Sequence, residues 1–279
     1  MVVDAAASAR HPQQPELLSQ VAARVRELAA DYVPPDFATA PGPDAALFLV
    51  AIDHSSGFRR AYLVGGKGPY EGSELLWSLG CAAERRHPGL LSARSQVGAG
   101  ADAIEDIFRV GGETVAGAEE RGRLWRDLAA GLRERYECSA ETVISAAEHR
   151  LGGPGGLIGR LGEFEAYSDP LGKKAYLFAK IAARRGWFSP QDPEQWEVCA
   201  DNVLMRLALR SGLVHPGAPE TVRAATRDAF KRVAGEAGIE PPLLDDLLWE
   251  LGRQDPDLLG TAGGHELREP PRPEDTTWY

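Results

Sequence analysis

Apolar residues recur three and four positions apart through most of the chain, which is the period of an amphipathic helix. Leu17, Val21, Val25 and Leu28 form one such stripe, and Leu75, Leu76, Leu79 and Ala83 form another within a helix expected over residues 73–86. A short helix over 101–109 is followed by a long one over 119–136, with Leu124, Leu128 and Leu132 in register. Ser139 is a good N-cap, and Glu141 suits the first turn of a helix running to Arg150. Pro170 suits the first turn of the next helix, which runs to about Arg185 and ends at Gly186. Asp201 opens a helix through Ser211 that Gly212 terminates, and two more are expected over 219–237 and 242–252. One stretch breaks the pattern. "ALFLVAI", residues 46–52, has no clear period; it reads as a strand that "AYLVGG", residues 61–66, can pair with. The expected fold class is therefore mainly all-α. Short helices joined by Gly/Pro turns point to an orthogonal helical array rather than a long bundle, with at most a small β-hairpin near residues 46–64.

No internal repeat is visible. Residues 1–15 and 254–279 read as tails, enclosing subdomains expected over 16–137 and 138–253. The second tail is rich in Gly, Pro and charge and is expected at the surface, with Trp278 and Tyr279 able to dock onto the body. With 43% hydrophobic and 26% charged residues, the chain has the composition of a globular protein. No apolar run approaches the length needed to span a bilayer, and no apolar segment follows a basic patch near Met1, so no membrane segment or secretory signal is expected and the cytosol is the expected location. The oligomeric state is not legible. Three cysteines, Cys81, Cys138 and Cys199, are too few and too scattered for a disulfide framework or a thiolate metal site. The formal net charge of −10 runs against the basic surface with which nucleic-acid binders neutralise phosphates, and leaves a small nucleotide as a substrate class.

Two side chains carry candidate chemistry. Lys174 lies three and four residues before Leu177 and Phe178 and so points along an apolar stripe, whereas Lys173, Lys180 and Arg184 share a face expected to meet solvent. Desolvation lowers the pKa of an amine and makes it a nucleophile near neutral pH; the plainer reading is a lysine whose stem packs while its head reaches water. Asp201 occupies an N-cap position, with Leu204, Leu207 and Ala208 inward behind it. An ionised carboxylate there can stabilise the oxocarbenium-like transition state of glycosidic cleavage or orient a water; the plainer reading is a capping aspartate. "GGKG" at 65–68 lacks the spacing of a phosphate loop. Asp53 and His54 stand together at "IDH", but no further ligands come at workable spacing for a metal; His54 is read as structural or site-lining. Trp77, Tyr176, Trp187 and Trp196 are core aromatics or stacking platforms for a base.

The segment from about Ser139 to Gly252 resembles the helix-hairpin-helix glycosylase superfamily. "KKAYLFAKI", 173–181, is similar to the segment holding the catalytic lysine of archaeal 8-oxoguanine DNA glycosylases; "ADNVLMRLALRSGLV", 200–214, is similar to the segment that opens on the superfamily's catalytic aspartate; "PPLLDDLLWELGR", 241–253, resembles the helix leading to the iron–sulfur loop of endonuclease III-type members. By position, Lys174 matches the lysine and Asp201 the aspartate. The superfamily's Gly-hydrophobic-Gly hairpin, which binds a DNA phosphate through backbone N–H groups, is reduced here to "SDPLGKK" with Gly172 alone. No cysteine follows Arg253, so no iron–sulfur cluster and no other cofactor is expected. Segments 70–86, 103–109, "FEAYSD" and "ADN" also resemble the salvage glycosylases that release queuine from queuosine nucleotide. The resemblance implies an N-glycosylase that releases a modified purine-type base, from DNA in a base-excision-like reaction with a lyase step open to Lys174, or from a nucleotide in salvage. Asp201 and Lys174 would be catalytic, and Asn202, Trp77, Tyr176 and His54 would contact the substrate. A non-catalytic member that binds a nucleobase-like ligand or a protein stays open beside both.

Overall fold

The computed structural model describes residues 14–263 and 276–278. Most of the amino-terminal tail and much of the carboxy-terminal one, Tyr279 included, lie outside the described residues. The fold is mainly helical, with eleven α-helices and two small two-stranded sheets among the described residues. It divides into two compact units, one of Asp36–Gln195 with Thr277–Tyr279 (the central unit) and one of Met1–Pro35 with Trp196–Thr276 (the terminal unit). These breaks fall elsewhere than the boundary between residues 137 and 138 expected from sequence. No helix is long and apolar enough to cross a membrane, among the described residues.

The central unit is built round helix α2, Pro43–Ala51, in which residues 45–51 are all buried. This corrects the strand expected at 46–52. A short all-apolar run fits a buried strand and a buried helix equally well by period. The deciding signals are Pro43 in the first turn, where its missing N–H costs nothing, and Asp44 beside it. A helix apolar all round must be covered all round. α3 (Gly72–Arg86), α5 (Ala118–Arg135), α6 (Ala140–Ala146) and α8 (Lys173–Arg184) each pack on α2. Burial of Leu47, Phe48, Leu49 and Val50 contributes about 1.5–3 kcal/mol per side chain. Gly80 of α3 lets that helix approach closely, since a Cβ there would sit 2.3 Å from Leu49 Cδ2. α4 (Ala101–Ile107) packs on α5, and α7 (Leu157–Leu161) on α6 and α8. α6 stops short of the expected Arg150 because Glu148 and His149 turn left-handed, at φ 50° and 61°.

The expected hairpin exists with a different partner. β1 (Tyr62–Val64) pairs antiparallel with β2 (Lys67–Tyr70) through Gly65–Gly66, and a second hairpin, not expected, joins β3 (Arg109–Val110) to β4 (Glu113–Thr114) through Gly111–Gly112. Both Gly pairs have positive φ, which two-residue turns of this kind require.

In the terminal unit, α1 (Gln14–Ala29) packs on α10 (Pro219–Ala237) and α11 (Pro241–Gln254), and α9 (Asn202–Ser211) on the same two helices. The α1 core face is Leu18, Val21, Ala22 and Val25. α9 ends on Gly212 at φ 81°, and Gly252 lets α11 lie against Leu207 and Val203 of α9.

Candidate functional site

The site residues named from sequence fall into both units. Lys174, His54, Trp77 and Tyr176 belong to the central unit; Asp201 and Asn202 belong to the terminal unit.

In the central unit the chemistry gathers where α2 ends. The last carbonyls of a helix have no intrahelical partner and carry partial negative charge. Here backbone N–H groups of Ile52 and Asp53 take Leu49 O and Val50 O, and buried side chains serve carbonyls of the helix and of the turn that follows it. Tyr167 Oη donates to Leu47 O at 2.6 Å and Trp125 Nε1 to Phe48 O at 2.7 Å. Lys174 Nζ donates to Ala51 O at 2.6 Å, and Lys173 Nζ to Asp53 O at 3.1 Å. Arg121, 1% exposed, donates to Ile52 O, to His54 O at 2.7 Å, to Ser55 O at 3.1 Å and to Ala116 O at 2.7 Å. Asp53 accepts from Ser73 Oγ at 2.5 Å and lies 3.7 Å from Lys173 Nζ.

Lys174 is fully buried, and its Nζ is 3.2 Å from His54 Nδ1. Burial, and then the neighbouring Lys173 ammonium, push its pKa well below the usual lysine value, against the pull of Asp53. His54 is pushed far below its ordinary value, first by burial and then by Lys174, Arg121 and Lys173, so its imidazole is neutral. Lys173 and Lys180, expected in solvent, are 8% and 4% exposed. α8 packs on both α2 and α7, and eight of its twelve residues are buried. The turn before α8 also differs from expectation, since Pro170 lies ahead of the helix and Gly172, at φ 65°, caps it. Asp169, 6% exposed, gathers that turn: Leu171 N and Lys173 N donate to its carboxylate at 2.9 and 2.8 Å, and Gly172 N donates to its carbonyl at 2.8 Å. Trp77 and Tyr176 are half-buried on α3 and α8, with the Tyr176 ring against Gly172.

In the terminal unit Asp201 is the N-cap of α9. Its Oδ1 accepts from Val203 N at 2.9 Å and Leu204 N at 3.0 Å. The segment before it is pinned from two sides. Cys199 N donates to Asp245 Oδ1 of α11 at 2.7 Å, and Ala200 O accepts from Arg223 Nε of α10 at 3.0 Å. Asp245 is 4% exposed and Arg223 fully buried, so the carboxylate of half-buried Asp201 is held on a rigid backbone. Asn202 follows in the first helical turn, its Oδ1 buried with no hydrogen-bond partner among the described residues.

Sequence reasoning missed Arg121, Ser73, Arg223 and Asp245. A signal existed for the two arginines. Arg121 stands three, four and seven positions before Leu124, Trp125 and Leu128, and Arg223 three and seven before Thr226 and Phe230; each sits inside a buried stripe. Ser73 and Asp245 act across the fold and carry no local pattern. Cys81 is buried, with its thiol pushed up to about 11, and is therefore inert. Among the described residues no cluster of three or more His, Cys, Asp or Glu is arranged to hold a metal ion. Comparison with known proteins finds no family model that matches the chain and no significant similarity to a curated protein.

Proposed function

We propose that this chain is an N-glycosidase that hydrolyses the bond between a sugar and a modified purine-type base in a free nucleoside or nucleotide. The observation that carries the reading is Asp201, a partly exposed carboxylate fixed at the head of α9 by two backbone N–H groups on a segment anchored by Asp245 and Arg223. Donors of this kind and the helix dipole favour the charged carboxylate. A fixed negative charge stabilises the cationic sugar as the C1′–N bond lengthens. Water attacks C1′ and gives a proton to Asp201, and the bond's electron pair leaves with the base, which is then protonated.

The choice of water over lysine rests on the burial of Lys174, whose amine is engaged with Ala51 O and His54. The choice of a small substrate over duplex DNA rests on α8. Its Lys173 and Lys180 are withdrawn from solvent, and the N–H groups of Leu171, Gly172 and Lys173 are taken by Asp169. A DNA phosphate at that turn would have to displace a buried carboxylate. The net charge of −10 acts in the same direction.

The test is a panel of modified-base nucleosides, nucleoside monophosphates and oligonucleotides, scored for released base, with borohydride added in parallel. The reading expects release from a monomeric substrate and no borohydride-trapped adduct. Release from duplex alone, or a trapped adduct lost in Lys174→Met, restores the DNA-glycosylase reading. Binding of a base with no release throughout the panel makes the chain a binding module.

A further inference from the structure

His54 is held at its backbone and at both ring nitrogens. Arg121 Nη2 takes its backbone carbonyl at 2.7 Å, Lys174 Nζ stands 3.2 Å from Nδ1, and Nε2 lies 3.9 Å from Glu120 Oε2. The first two contacts are buried. The third opens outward, since the side chain of Glu120 is 44% exposed against 5% for His54. A neutral imidazole carries its proton on one nitrogen only, and the partner of the other nitrogen decides which. Lys174 Nζ donates to Ala51 O at 2.6 Å and, as ammonium or as amine, keeps at least one further proton for Nδ1. On the other side a bare Nε2 lone pair would face the Glu120 carboxylate, whereas an Nε2–H would be attracted to it.

We infer that Lys174 is a positioning residue that fixes His54 as the Nε2–H tautomer, and that this N–H and Glu120 together form a binding site for a hydroxyl group of a small ligand. The 3.9 Å gap is too long for a direct hydrogen bond and suits one inserted oxygen. An oxygen at about 2.8 Å from both atoms subtends an angle of about 90°. A hydroxyl is the group that can accept from His54 and donate to Glu120 at once; a phosphate oxygen would meet the carboxylate's charge. His54, Lys174 and Glu120 all belong to the central unit, so neither the tautomer nor the hydroxyl site depends on the Asp201 reading.

The tautomer is read from long-range proton–nitrogen NMR of the imidazoles, with His54→Gln assigning the resonance among the six histidines. The wild type is expected to show neutral, Nε2-protonated His54. Folded Lys174→Met is expected to show a mixture of tautomers, and Glu120→Gln to keep the wild-type form because Lys174 sets it. A Nδ1–H tautomer or an imidazolium in the wild type, an unchanged spectrum in Lys174→Met, or a switch in Glu120→Gln overturns the assignment. If Lys174→Met does not fold, the wild type and Glu120→Gln still decide. For the hydroxyl site the probe is D-ribose at high concentration. It is expected to shift the His54 Nε2–H resonance in the wild type and to leave it in place in Glu120→Ala, which has no acceptor there; equal shifts in both, or none in the wild type, refute the site. Neither measurement uses base release, so its failure is separate from a failure of the Asp201 mechanism.

Discussion

Lys174→Met is the sharpest perturbation of the central unit. Methionine has nearly the length and volume of the lysine stem, so little cavity forms. What is lost is the donor that serves Ala51 O at 2.6 Å and His54 Nδ1 at 3.2 Å in a fully buried setting. A buried acceptor deprived of its donor costs about 1–3 kcal/mol. Two acceptors give about 2–6 kcal/mol, and release of the desolvated amine from the Lys173 ammonium offsets part of this. A net loss of about 1–4 kcal/mol is expected, which lowers the melting temperature by roughly 3–12 °C for a chain of this size. The assay is urea unfolding followed by circular dichroism, with Lys67→Met on the exposed hairpin as a control expected to stay within about 0.5 kcal/mol. A Lys174→Met chain as stable as the wild type would refute the reasoning, because the lysine would then cost as much by its burial as it contributes by capping α2.

Three further outcomes are expected. His54 stays neutral in the fold, whereas in the unfolded chain it takes up a proton below pH about 6.5. Its contribution is therefore complete above that pH and falls by up to about 1.4 kcal/mol per unit on acidification; wild type minus His54→Gln, measured by urea unfolding at pH 7.5 and 5, isolates it. Lys174 acts in the same sense at higher pH, so stability should keep rising toward the ordinary lysine value, and Lys174→Met should flatten the alkaline limb. Gly80→Ala should lose about 1–3 kcal/mol by thermal melting, because its methyl would meet Leu49 Cδ2 at 2.3 Å inside a filled core.

The helices were legible where an apolar stripe came with a cap. Ser139, Asp201 and Gly212 mark termini in the sequence and in the structure alike. α2 was not, because residues 45–51, apolar on every side, show no period; only Pro43 and Asp44 betray a helix start. The second hairpin was legible in principle, since "VGGE" at 110–113 repeats the "VGGK" of 64–67. The desolvation of Lys174 could be read from its place on the stripe of α8. That of Lys173 and Lys180 could not, because their burial is tertiary: Lys173 Nζ reaches Asp53, 120 positions away in the chain. Asp201 could be placed as a cap from sequence, but its anchoring by Asp245 and Arg223 joins residues 22 or more positions away from it and has no local signature.

The central claim is that the negative charge of Asp201 drives base release. It is tested most directly by single-turnover release with Asp201→Asn on the best monomeric substrate of the panel. The amide can still cap α9 through its oxygen, so circular dichroism and the melting temperature should be close to those of the wild type. The rate should fall at least about a hundredfold, as for removal of one electrostatic group from a transition state. A folded Asp201→Asn that releases base at the wild-type rate would contradict the account.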